Sequence, residues 1–271
     1  MFIKEPTKLT YRFEDHVLCI EAWGANAFRV RATRLPSIPS GNYGALPETA
    51  PKTTGQVSIS DEDVKGSISI SNGKIRAEVS HRGKIVMYNT ATGKKILEEY
   101  ARHRLDLQDE KCSALQIQAR ELKGNLGSES FHVTMRLESL DPNERIYGMG
   151  QYQQPFLNLK GMDIELAQRN SQASVPFAVS SLGYGLLWNN PAIGRAVLGK
   201  NIMSFESYSA KSIDYWVVAG DEPKEIMEAY AGVTGTVPMM PEYGLGFWQC
   251  KLRYASQQEL LEVAREYKRY V

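Results

Sequence analysis

Residues 131–138 read Phe131-His132-Val133-Thr134-Met135-Arg136-Leu137-Glu138, with apolar and polar side chains alternating. A period of two places Phe131, Val133, Met135 and Leu137 on one face of an extended chain and the other four on the opposite face. That is the pattern of a half-buried antiparallel strand. The same period recurs on the amino-terminal side, where Phe28, Val30 and Ala32 alternate with Arg29, Arg31 and Thr33. Ile68 and Ile70 restart it, and Asn72-Gly73 joins them to Ile75, Ala77 and Val79, the strongest short-range hairpin signal. Thr92-Gly93 predicts another turn. Residues 36–56, with Pro36, Pro39, Gly41, Gly44, Pro47, Pro51 and Gly55, predict a long loop. Residues 145–160 read as irregular, and short strands follow around 175–179, 184–188, 202–208 and 213–219. More than ten strands before any helix predict an all-β fold, an antiparallel β-sandwich whose sheets cover each other's apolar faces. A closed barrel is the alternative.

Helix signals come only at the end. Asp221 is placed to cap a helix over about 222–232, with Pro223 in its first turn and Ile226, Met227, Tyr230 and Val233 on one side. Ser256-Gln257-Gln258-Glu259 is a capping box, followed by the stripe Leu260, Leu261, Val263, Ala264 and Tyr267. Before it, Tyr243 to Cys250 is an apolar run suited to a buried strand. A strand followed by an amphipathic helix is the opening half of a βαβ unit, and half a unit forms no parallel sheet. The expected organisation is a sandwich domain over 1–235 and, over 236–271, a linker with the first strand and helix of a truncated (β/α)8 barrel.

The chain has 271 residues, 42% of them hydrophobic, and a formal net charge of +1. That apolar fraction excludes a disordered chain, and the charge balance argues against nucleic acid or an anionic membrane surface as partner. No apolar run is long enough to span a bilayer, and MFIKEPTKLT at the start lacks the apolar core of a signal peptide. Cys19, Cys112 and Cys250 are too far apart for a CxxC pair, so reduced thiols and a cytoplasmic location are expected.

Few residues point to chemistry directly. His16, His81, His103 and His132 form no metal-ligand spacing, and no nucleophile elbow or phosphate loop is present. Neither a metal nor an organic cofactor is expected. Asp163 and Glu165 would share one side of a strand, but a surface role suits them better than catalysis. Tyr147, Gln151, Tyr152, Gln153, Gln154 and Phe156, followed by Gln168, Arg169, Asn170 and Gln172, combine amides with aromatic faces. Amides bond sugar hydroxyls and aromatic rings cover the apolar side of a pyranose, although an ordinary polar loop reads the same way.

At this point three ordered blocks resemble glycoside hydrolase family 31, the α-glucosidases and α-xylosidases. Glu144-Arg145-Ile146-Tyr147-Gly148-Met149-Gly150 is similar to the family's Glu-Arg-x-Tyr-Gly-Leu-Gly. Pro176-Phe177 through Ser180-Ser181-Leu182-Gly183-Tyr184-Gly185-Leu186-Leu187-Trp188-Asn189-Asn190 resembles its Ser-Ser-x-Gly-Tyr-Gly-x-x-Trp-Asp-Asn signature. Gly246-Phe247-Trp248-Gln249-Cys250 with Tyr254 looks like the first barrel strand.

The resemblance implies a galactose mutarotase-like sandwich ahead of a (β/α)8 barrel, and a retaining exo-α-glycosidase acting on α-linked oligosaccharides. The family's two catalytic aspartates lie on later barrel strands, so no catalytic residue maps to this chain. It implies substrate-binding roles for Asn170, with Gln168 as its companion, and for Gln249, Cys250 and Leu252 at the end of the first barrel strand. Trp188 is expected as a core filler. The missing carboxy-terminal barrel is then the chief partner, and Phe247, Trp248, Leu260 and Leu261, left uncovered, favour a homo-oligomer. Two other readings are a self-contained carbohydrate-binding module and a mutarotase-like enzyme, the latter needing a histidine and a carboxylate around one sugar.

Overall fold

A computed structural model describes every residue except 42, 43, 52, 54, 55 and 271, so Gly55 of the long loop and terminal Val271 lie outside the described residues. The first strands are β1 (Phe2–Glu5), β2 (Lys8–Phe13), β3 (His16–Ala22), β4 (Ala27–Thr33), β5 (Val57–Ile59) and β6 (Ile68–Asn72). They continue with β7 (Ile75–Val79), β8 (Ile85–Asn89), β9 (Lys95–Glu98), β10 (Arg120–Gly124), β11 (Phe131–Glu138) and β12 (Ile146–Gln151). The last are β13 (Asp163–Leu166), β14 (Ala173–Ser180), β15 (Tyr184–Trp188), β16 (Gly194–Leu198), β17 (Ile202–Ala210) and β18 (Ile213–Ala219). Two helices follow, α1 (Pro223–Thr234) and α2 (Gln257–Tyr270).

Three antiparallel sheets result. One has eight strands in the order β1-β2-β3-β4-β18-β15-β14-β12, and two have five, β10-β11-β17-β16-β13 and β5-β6-β7-β8-β9. Each ends in edge strands, so the architecture is a β-sandwich and not the closed barrel. A shared core takes alternate side chains from all three sheets, among them Ile20, Val30, Ile70, Met87, Val133, Trp188, Phe205 and Tyr215. Trp188 is fully buried, as a core filler should be. The chain divides into two compact units, Met1–Gly235 and Thr236–Val271.

The central strands of the large sheet are buried on both faces. On β18, Tyr215 and Val217 join the shared core while Trp216 and Val218 join a second cluster with Trp23, Phe177, Leu187, Ile226 and Val233. Helix α1 supplies that second cover. Tyr230 stacks on Phe177 with ring centroids 4.0 Å apart, whereas Met227 of the expected apolar stripe is 48% exposed. Gly185 makes the packing possible, because a Cβ there would stand 2.6 Å from Ile226 and 2.9 Å from Phe177. Asp221 does not cap α1. Glu222 is the N-cap and makes no side-chain bond, while the Asp221 carboxylate accepts from Lys74 at 2.6 Å and Asn89 at 3.1 Å.

Other expectations also needed correction. Asn72-Gly73 turns β6 into β7 with Gly73 at φ 59°, as the hairpin signal predicts. Residues 146–151, read as irregular, form a strand because β14 pairs with them around a bulge at Met149. The polar face of β11 is half covered, with Thr134 and Glu138 buried. Arg102 takes up Glu138 at 2.6 Å. Gly246 to Cys250 forms no strand, since a strand needs a ladder neighbour and none is present among the described residues. The capping box forms with one shift: Glu259 N donates to Ser256 Oγ at 3.2 Å, and the Glu259 carboxylate accepts from Ala255 N at 2.8 Å.

At the end of β9, Glu98 is buried. Burial pushes its carboxyl up, but bonds from Lys95, Lys84 and Lys111 outweigh that and hold it at about 2, against an ordinary 4.5. A depressed carboxylate stabilises the fold above its unfolded value and loses that contribution as pH falls toward its folded value. Between about pH 5 and pH 2 the contribution lost is about 2 kcal/mol, after allowing for the part-exposed Lys95 and Lys111. Urea unfolding should therefore show the wild type losing that much more than Glu98→Gln over this window. Parallel pH curves for the two proteins would refute the assignment.

Candidate functional site

The polar turn between β13 and β14 stands beside the edge of the large sheet. Two features of the sequence build it. The first is the glycine pair around Met149, which forms the β12 bulge with φ of 100°, 67° and 97° at Gly148, Met149 and Gly150. The second is Gln168, whose Nε2 donates to Ser174 O at 2.8 Å and whose Oε1 accepts from Ser174 N at 3.0 Å. With both ends of its amide engaged, Gln168 acts as a brace for the turn. Arg169 and Gln172 face each other across it in an isolated bridge, and Asn170 is exposed at the tip. Asn170 therefore presents its amide to solvent, while Gln168 holds the backbone that carries it. Nearby, the Tyr152 hydroxyl donates to Ser174 Oγ at 2.7 Å, and Phe156 is 60% exposed.

The two carboxylates on this strand do share a side, but each has an arginine. Glu165 accepts from Arg169 at 2.7 Å, and Asp163 accepts from Arg195 Nε at 2.6 Å. Both carboxyls are held below their ordinary range by those bonds. A group so biased toward the ionised form is a poor proton donor near neutrality.

Behind the turn, the blocks that carry the family resemblance meet through buried polar contacts. Glu144 is buried, and Lys160 donates to its Oε2 at 2.5 Å. Its Oε1 accepts from Ser180 at 2.5 Å and from the Tyr184 hydroxyl at 2.7 Å. Burial, reinforced by the Glu144 charge, pushes the Tyr184 phenol well above its usual range. Arg145 N donates to Ser181 Oγ at 2.9 Å, tying the two blocks together again. Further along, Trp188 Nε1 donates to Ser207 at 2.9 Å. Asn189 bridges Asp214 and the backbone N–H of Ala45 at 2.9 and 2.8 Å. Asp214 in turn accepts two bonds from buried Arg29, at 3.0 and 2.6 Å, and the Arg29 guanidinium lies 4.6 Å above the Trp23 ring. Most signature residues thus fasten the sandwich together. Lys160 has no signal in the sequence, because its partner is a strand away.

Gln249, Cys250 and Leu252 lie in the second unit. The Tyr267 hydroxyl of α2 donates to Gln249 Oε1 at 2.7 Å, and Gln249 Nε2 donates to the Tyr254 hydroxyl at 3.2 Å. Cys250 is exposed and Leu252 is 96% exposed. Phe247 and Trp248 are exposed as well. The structure thus brings Gln168 and Asn170 together on one turn, and Gln249 together with α2. No group of three or more metal-ligating side chains occurs among the described residues, and no helix is long and apolar enough to cross a membrane.

The fold and these contacts define a galactose mutarotase-like sandwich followed by the opening portion of a barrel. A family profile described as the glycosyl hydrolase 31 N-terminal galactose mutarotase-like domain matches residues 17–195. The chain belongs to glycoside hydrolase family 31. An uncharacterized family 31 glucosidase of Pseudescherichia vulneris is 45% identical over 98% of this chain and 50% of its own length. An alpha-xylosidase of Saccharolobus solfataricus is 35% identical over 55% of this chain and 22% of its own. Among solved structures, an alpha-xylosidase of this family from a soil metagenome, complexed with xylose, matches with TM-score 0.85 and 50% identity. That match covers 100% of this chain and 40% of that one. The chain spans half or less of these relatives' length.

Proposed function

We propose that this chain is the front part of a retaining exo-α-glycosidase that removes terminal α-linked xylose or glucose from oligosaccharides, with α-xylosides preferred. The observation that carries the reading is 50% identity along the whole chain to an α-xylosidase seen with xylose. Retention requires a nucleophilic carboxylate and an acid/base carboxyl about 5–5.5 Å apart. Asp163 and Glu165 are unsuited to the acid role, being locked to arginines. The reading assigns both catalytic carboxylates to a (β/α)8 barrel of which residues 246–270 are the opening portion, in keeping with active sites at the carboxy-terminal ends of barrel strands. Within the sandwich, Asn170 bonds hydroxyls of the leaving-group sugar, its neutral amide giving hydrogen bonds without a charge. Gln168 fixes the turn, and Gln249 to Leu252 belong to the strand end that borders the scissile sugar in this reading. Three unpaired cysteines support a reducing, cytoplasmic setting.

The test is hydrolysis by the product of the whole reading frame. Proton NMR should show the α-anomer appearing first, with p-nitrophenyl α-xyloside cleaved faster than the α-glucoside. A β-anomer as first product, or no cleavage of either substrate, would overturn the proposal.

A further inference from the structure

The sandwich holds a second polar concavity built from β2, β3, the turn between β7 and β8 and the segment between β9 and β10. It is a cavity of about 240 Å³, below the roughly 300–1,000 Å³ of sites for drug-sized ligands, and so suited to one small molecule. Its described lining carries four carboxylates and four lysine or arginine side chains. That balance disfavours both a free anion and a metal cation, each of which meets as many like charges as opposite ones. Paired donors and acceptors in one cavity suit a neutral ligand with several hydroxyl groups, each of which both donates and accepts.

Asp106 is the residue that asks for such a ligand. Its side chain is only 9% exposed, and Oδ1 is buried without a hydrogen-bond partner. The nitrogens facing it are His81 Nε2, 3.7 Å from Oδ1, and Arg82 Nε, 3.8 Å from Oδ2, both beyond direct bonding. Arg82 Nε is likewise buried without a partner. Buried polar atoms left this way are costly, and gaps of this width are the ones a bridging hydroxyl closes. Several other polar groups of the lining are already engaged. The Tyr11 hydroxyl donates to His81 O at 2.6 Å, and Glu99 is paired with Arg120. Among the described lining residues, the buried polar atoms without a partner are those of Asp106 and Arg82. The Phe13 ring, 42% exposed and stacked on Tyr11, supplies an apolar face to the same lining.

We propose that this cavity is a second carbohydrate site, holding one neutral pyranose with Asp106 accepting from its hydroxyls and Arg82 donating to them. The site lies wholly within the sandwich, and its occupancy is independent of barrel chemistry and of the Asn170 turn.

The experiment is titration of the 271-residue chain with D-xylose and D-glucose, followed by calorimetry and by NMR shifts. Saturable binding is expected. Asp106→Ala and Arg82→Gln should each weaken it by about tenfold or more, the loss of a charge-assisted hydrogen bond. Lys224→Ala, at a position of α1 that is 78% exposed, should leave it unchanged. If Asp106→Ala fails to fold, the isosteric Asp106→Asn takes its place, with a smaller loss of the same sign. No saturable binding of either sugar up to about 100 mM, far above the roughly 1 mM at which binding free energy is still about 4 kcal/mol, would overturn the proposal. So would binding that Asn170→Ala abolishes, or that Asp106 and Arg82 substitutions leave intact.

Discussion

Replacing Glu144 by Ala is expected to lower the unfolding free energy by about 3–5 kcal/mol, because it strands the buried Lys160 ammonium without its carboxylate. Lys160 is 2% exposed and its partner is fully buried, so neither charge can recover its hydration by a small movement. The Ser180 and Tyr184 hydroxyls lose their acceptor in the same step. Lys160→Met alone leaves an unpaired Glu144 and should cost a similar amount. The double variant removes both charges, so its loss should be well short of the sum of the two single losses. Urea unfolding of the four proteins measures this coupling directly. Additive losses would mean that the Glu144 and Lys160 charges do not stabilise each other.

The second large effect is expected at Gly150. Its φ is 97°, and a Cβ there would lie 2.1 Å from Ala173 O and 2.6 Å from Val175 N. Both obstacles are backbone of β14, which cannot turn aside as a flexible side chain would. Gly150→Ala should therefore cost about 2–4 kcal/mol, combining left-handed strain with a displaced ladder. Gly127 is the control. Its φ is 71° but nothing lies within 4 Å of its Cβ position, so Gly127→Ala should cost about 1–2 kcal/mol, the conformational penalty alone. Equal losses at the two sites would show that the close approach of β12 and β14 contributes nothing. Because β14 begins just after the Asn170 turn, Gly150→Ala should also disturb that turn, which loss of the NMR signature of the Gln168–Ser174 bonds would report.

Much of this fold was legible in the sequence where one periodicity acts alone. The alternation at 131–137 and the Asn72-Gly73 turn translate directly into β11 and the β6–β7 hairpin, since backbone geometry fixes both. The strand at 146–151 was illegible because two glycines and a bulge break its period, and only the partner β14 restores the ladder. The double burial of β15 and β18 was hidden for a related reason: an apolar run does not reveal that a helix from residue 223 onward will cover its second face. Asp221 illustrates a competition that local rules cannot weigh, since Lys74 claims its carboxylate from far along the chain.

The site was legible in part. An amide-rich stretch marked Gln168 and Asn170, but the sequence could not show that Gln168 spends its amide on Ser174. Nor could it separate residues that hold the fold from residues that meet a sugar. Glu144, Ser180, Tyr184, Trp188 and Asn189 stand in the most recognisable blocks, and all of them are engaged in contacts within the sandwich. The Asp106 cavity left no motif, since its lining is gathered from β2, β3, the turn between β7 and β8 and a loop near residue 106.

Under the proposed function this chain is the sugar-binding front module of a glycosidase and supplies neither catalytic carboxylate. Its most direct test is p-nitrophenol release by the 271-residue chain from α-xyloside and α-glucoside substrates, alongside the product of the whole reading frame. No turnover above buffer is expected from the chain alone, and hydrolysis from the longer product. Turnover by the 271-residue chain that vanishes when one of its own carboxylates is replaced by an amide would contradict it.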